Sequence, residues 1–159
     1  RFIVNYDIPA LLHKNNAATD IAVMLFRTAH GYPHFFALAQ QMRQGLVAKG
    51  LLSEESPIAR AVHISRSPFE QLLDARDYLL TPDSQPVDVL QSSFGAYLFA
   101  QGFTRAQIEG LSAHPVCSFD FGVEAPSDQN LYDLCEGFSY GDARAVLSHI
   151  RSQYWFPTV

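Results

Sequence analysis

Gly102-Phe103-Thr104-Arg105-Ala106-Gln107-Ile108 carries every signal needed for a junction between two helices. Glycine takes the left-handed backbone conformation that closes a helix. Thr104 and Gln107 have the spacing of a capping box, in which each side chain satisfies a backbone N–H of the other. Phe103 and Ile108 flank the cap where a hydrophobic staple places them. One helix therefore ends at Gly102 and another begins at Thr104. Gly137-Phe138-Ser139 repeats the device, and a shift of 35 residues also superposes Tyr97 on Tyr132 and His114 on His149. The echo reads either as a duplicated helical hairpin or as the same physical solution used twice, and we adopt the second reading.

The second copy, LCEGFSYGDARAVLSHI (residues 134–150), resembles the Gly-Phe turn of ubiquitin-associated-type three-helix modules. The resemblance covers a hairpin only, and it is taken as shared turn chemistry rather than family membership.

Working outward, the same grammar marks further helices. Asn15 and Asn16 offer a cap for a helix from Ala17 to about Ala29, apolar almost all round and so expected to be buried. Pro33 suits a first helical turn, and Phe35, Leu38, Met42 and Leu46 follow at helical spacing up to Lys49-Gly50-Leu51, where Leu51 is expected to pack back. Ser53 and Pro57 open a shorter helical segment through Ile64. Ser67-Pro68-Phe69-Glu70 is a capping box leading to Leu72, Leu73, Leu79 and Leu80. After the loop Thr81–Pro86, one helix is predicted over Val87–Gln101. Ser127 caps another through Glu136, and the last runs over Tyr140–Tyr154.

Two stretches read as strands. Phe2, Val4 and Tyr6 alternate in RFIVNYD, and Cys117, Phe119, Phe121 and Val123 alternate with polar residues. Their pairing gives a two-strand element, or Phe2–Tyr6 completes a neighbouring subunit in a homodimer. The fold class is thus mainly α: a single compact helical domain over 1–159, of about six to eight helices, with a minor two-strand β element. Its 159 residues suffice to bury about two-thirds of the chain's surface without disulfide or metal. The first residue is Arg1 rather than Met, so a longer parent chain is expected.

Composition narrows function. The net charge of −5, with only Lys14 and Lys49 beside nine arginines, argues against indiscriminate nucleic-acid binding. A DNA-associated regulator would have to use Arg105, Arg144 and Arg151 on the Gly-Phe hairpins. Cys117 and Cys135 form no C-x-x-C pair and read as buried thiols of a reducing, cytoplasmic protein. No apolar run reaches membrane-spanning length, so no membrane partner is expected.

The chemistry-bearing candidates form two groups. Arg27, His30, Tyr32 and His34 bracket Gly31 and Pro33. His30 and His34 have the i, i+4 spacing of a helical metal pair, but the intervening Gly and Pro break the helix that spacing needs, and no metal is predicted. The same cluster offers a weak ligand-binding site, with free backbone N–H groups at a helix start. Cys117 and Asp120 supply nucleophile and carboxylate types, yet a separation of three residues puts them on opposite faces of a strand. No cofactor motif is present. The sequence therefore favours a non-enzymatic binding or regulatory domain with a protein partner or self-association. The alternative is an enzyme or small-ligand-binding protein assembled around His30/His34 and Cys117/Asp120. The aromatic end Tyr154-Trp155-Phe156-Pro157 is either a docking edge or a tail folded onto the core.

Overall fold

The computed structural model describes residues 23–25, 30–55, 62–122 and 125–153. Within them the chain is mainly α with a small antiparallel sheet. Six α-helices lie among the described residues: α1 (Tyr32–Ala48), α2 (Pro68–Tyr78), α3 (Ser93–Ala100), α4 (Arg105–Ala113), α5 (Leu131–Leu134) and α6 (Tyr140–Val146). Three strands, β1 (Val116–Phe119), β2 (Ser127–Asn130) and β3 (Ile150–Gln153), form the sheet in the order β2-β1-β3. No helix among the described residues is long and apolar enough to cross a membrane.

The caps set the boundaries. Ser67 Oγ accepts from Glu70 N (3.2 Å), while the Glu70 carboxylate reaches back to the N–H of Arg66 (2.5 Å). Thr104 and Gln107 form the full reciprocal box. Gly102 and Gly137 both sit at positive φ, +93° and +76°, but their bonds differ: Phe103 N donates to Leu98 O, whereas Phe138 N donates to Cys135 O and Gly137 N to the distant Arg66 O. Gly50 likewise closes α1 at φ +70°, with Gly50 N donating to Val47 O and Leu51 N to Leu46 O. Leu51 itself does not pack back: it is 72% exposed.

Four stretches differ from expectation. Residues 87–101 are not one helix. Asp88 and Gln91 cap a 3-10 turn over Val89–Gln91, and Ser92 Oγ then accepts from Gly95 N to start α3 afresh. Ser127–Asn130 is a strand rather than a helix start, and Asn130 Oδ1 caps α5 through Tyr132 N (2.8 Å). The last helix stops at Val146. The chain passes through a 3-10 turn into β3, because β1 has a second edge whose backbone groups need partners. Finally, residues 62–66 are not helical and are bonded to the Glu70 and Asp74 carboxylates of α2.

The sheet has three strands where two were expected. β1 pairs with β2 from Val116↔Asn130 to Phe119↔Ser127, and with β3 from Cys117↔Gln153 to Phe119↔Ile150. Both edges of β1 are thus taken by β2 and β3, and the Phe2–Tyr6 segment expected as a strand lies outside the described residues. The expected helix at 17–29 and the 154–157 aromatic end also fall outside them, apart from Val23–Leu25 of the former, which are exposed and non-helical.

The core is contiguous from α2 to the sheet, with Phe69, Leu72, Phe94, Leu98, Ile108, Phe119 and Leu131 at its centre. Phe94 meets Phe69 edge-on (5.1 Å between centroids), Tyr97 in a stacked pair (6.1 Å) and Tyr140 at 4.9 Å. Such geometries follow the ring quadrupole, which favours offset and edge contacts. Gly95 allows α3 to lie against the preceding turn, since a Cβ there would overlap the Val89 carbonyl. Gly95→Ala is expected to cost about 3 kcal/mol in urea unfolding. Gly45→Ala, in the open middle of α1, is expected to gain about 0.5 kcal/mol.

Candidate binding surfaces

α1 differs from the other long helices in how little of it is enclosed. Of its seventeen residues only Ala39 is buried. Phe35, Leu38, Met42 and Leu46 line the same side and are half-buried, and Arg43 is its single charged residue. Its start is tied to the body by a polar relay. Tyr140 Oη donates to Gln71 Oε1 (3.1 Å), and Gln71 Nε2 donates to Tyr32 Oη (2.7 Å). Burial pushes the Tyr32 hydroxyl well above its ordinary pKa, with Tyr140 and Glu70 adding to the shift, so it stays protonated.

His30 and His34 are brought together, as their spacing suggested, but not on one continuous helix. Gly31 is the N-cap, the rings stand 4.8 Å apart with 37° between planes, and both residues are exposed. No cluster of three or more metal-ligating side chains occurs among the described residues. Arg27, the remaining member of that group, lies outside them.

Cys117 is wholly buried on β1 with Phe119, and Cys135 is wholly buried after α5. Both are free thiols. Burial alone pushes them up, Cys117 to about 11 and Cys135 to about 12, with no cation or imidazole pulling either down. A nucleophilic thiolate needs the opposite environment. Asp120 follows β1 at the surface, where its carboxylate accepts from Gly122 N (2.9 Å) and its backbone pairs with His149. Phe121, expected on the apolar face with Cys117, is 41% exposed and lies 5.0 Å from the His149 ring. Arg105, one of the three cations on the Gly-Phe hairpins, is held by Asp88 (2.7 Å) and Glu109 (3.5 Å), while Arg144 and Arg151 are exposed.

Two arrangements went unread in the sequence. The first is a clamp. Glu70 and Asp74, one turn apart on α2, hold the 63–66 segment: Asp74 Oδ2 accepts from Ser65 Oγ (2.5 Å) and meets His63 Nε2 (2.9 Å). Arg66 extends it to Asp133 and Glu136 at 3.2 and 3.5 Å, and its carbonyl accepts from Gly137 N. Carboxylates at i, i+4 after a His-Ile-Ser-Arg stretch were the available signal. They read as an ordinary solvated face because nothing local shows that the chain doubles back.

The second is a cavity of about 410 Å³ between the Pro86–Val89 segment and one face of α4, lined also by Arg76. Arg105, Glu109 and Ser112 lie on that face at i, i+4 and i+7. Ser112 is 2% exposed, and its Oγ has no hydrogen-bond partner.

No family model, no curated protein and no solved structure matches this chain.

The hydrogen bond that His63 donates to Asp74 raises the His63 pKa, against a smaller opposing effect of burial; the Asp74 and Glu70 charges raise it further and Arg66 lowers it. A raised folded-state pKa gives stabilisation that is complete below the unfolded value of about 6.5 and is lost as pH rises through the folded one. The His63 side chain is 59% exposed, so screening limits the effect to about 0.5 kcal/mol. In an NMR titration, Asp74→Asn is expected to lower the His63 pKa and to flatten that loss of stability.

Proposed function

We infer that this chain is a non-enzymatic binding domain of a reducing compartment, the cytoplasm, and that a protein partner engages it through α1. The observation that carries this reading is the half-open apolar side of α1: a seventeen-residue helix with Phe35, Leu38, Met42 and Leu46 on one side and one enclosed residue. Helices of this kind dock into apolar grooves through anchors spaced three and four residues apart. Gln40, Gln41 and Gln44 on its exposed positions keep the helix soluble without adding charge, so recognition rests on shape and apolar area. The relay Tyr140–Gln71–Tyr32 fixes where the helix starts.

The protonated, enclosed thiols support the same choice over an enzyme built on Cys117, since a thiol held near 11 offers little thiolate at neutral pH. The acidic balance of the chain supports a protein over a nucleic acid.

A benzophenone amino acid placed at Gln41 tests this in the cells that make the protein. Illumination is expected to give an intermolecular adduct of discrete mass that is absent for the same probe at Ala106 on α4. Leu38→Asp is expected to abolish the adduct while leaving the thermal unfolding of the body within about 1 °C. An adduct of twice the chain mass would identify the partner as a second copy. Absence of any intermolecular adduct, or equal adducts from both positions, would contradict the reading.

A further inference from the structure

Residues 63–66 belong to no helix or strand, yet both ends of the stretch are bonded to the body. His63 Nε2 and Ser65 Oγ donate to one and the same oxygen, Asp74 Oδ2, at 2.9 and 2.5 Å. At Arg66 the N–H donates to Glu70 Oε2 (2.5 Å), and the carbonyl accepts from Gly137 N (2.9 Å). The Arg66 guanidinium reaches Asp133 and Glu136 at 3.2 and 3.5 Å. This short stretch therefore ties α2 to the junction between α5 and α6.

The tie has the features of a unit that opens below global unfolding, since its bonds are few and run through side chains at or near the surface. One of those bonds changes character around neutral pH. The groups that act on the His63 charge are Asp74 and Glu70 from α2, which favour the proton, and Arg66 from the stretch itself, which opposes it. From α5 and the turn after it, Asp133 and Glu136 meet Arg66. With its proton, the imidazole is both donor and ion partner to Asp74. Without the proton only a neutral donor remains, and a hydrogen bond with one charged partner is weaker than one with two. The His63 side chain is 59% exposed, so water screens part of the difference.

We propose that residues 63–66 form a proton-controlled strap. It is closed on Asp74 while His63 carries its proton and opens more often once the proton is lost, which frees Gly137 at the α5–α6 junction. None of the bonds named here involves α1, so the strap stands or falls apart from the protein-binding reading.

Native-state hydrogen exchange between pH 5.5 and 8, corrected for the intrinsic rate at each pH, tests this at two reporter amides, Arg66 and Gly137. Both are expected to open at a lower free energy than Gly95–Leu98. Their opening constants are expected to rise together, by about twofold, as His63 loses its proton. His63→Gln changes an exposed position, keeps a side-chain donor and is expected to abolish the step at both amides. Ser65→Ala is expected to raise the opening constant about fivefold at every pH and to keep the step. A Gly137 amide that exchanges only through global unfolding, a step confined to Arg66, or a step that survives in His63→Gln would overturn the proposal.

Discussion

The ring of Phe94 holds the described body together. From α3 it touches Phe69 on α2 and Tyr140 on α6 and stacks on Tyr97 of its own helix, while only 1% of its surface remains exposed. Its position depends on two small residues. Ser92 restarts the helix one residue before α3, and Gly95 lets that turn close on the Val89 carbonyl. A bulkier residue at 95 would push α3 outward and separate Phe94 from both neighbours. Leu98, one turn further along, then continues the contact into the core shared with Ile108 and the sheet.

The parts of the fold legible in the sequence are those decided within a few residues. Thr104 with Gln107, Ser67 with Glu70, and the glycines at 50 and 102 act through bonds to backbone three positions away, and the structure has all of them; Gly137 takes the same positive φ but donates its N–H to the distant Arg66 carbonyl. The misread parts depend on distant partners. Ile150–Gln153 has a helix before it and no breaker, yet it becomes a strand because β1 lies open beside it. Gln153 then donates to the carbonyls of Gly110 and His114 at the end of α4, both at 2.8 Å. The interruption at Ser92 was local, but Ser92-Ser93 also suits a helix surface, and only the packing of Gly95 on Val89 decides between the two.

The same division applies to the candidate sites. The burial of Cys117 was visible as a place in an alternating apolar run, whereas the closeness of the His30 and His34 rings arises across a helix start where Gly31 and Pro33 argued against it. The clamp on residues 63–66 and the relay to Tyr32 join residues far apart in the chain, Arg66 with Gly137 and Gln71 with Tyr140 among them, and the cavity beside α4 encloses a void. Side-chain type alone cannot announce either. What emerges among the described residues is a closed body, α2 to β3, and a helix whose start is bonded to it and which is apolar along one side. A helix with few enclosed side chains opens more readily than one at the centre of a core.

Native-state hydrogen exchange read by NMR tests this division most directly. The amides of Gly95–Leu98 are expected to exchange only through global unfolding. Those of Ala39–Leu46 should open at a free energy several kcal/mol lower and with little dependence on denaturant. Exchange of α1 and α3 together, with one free energy and one denaturant slope, would mean that α1 is an integral part of the core and would contradict the account.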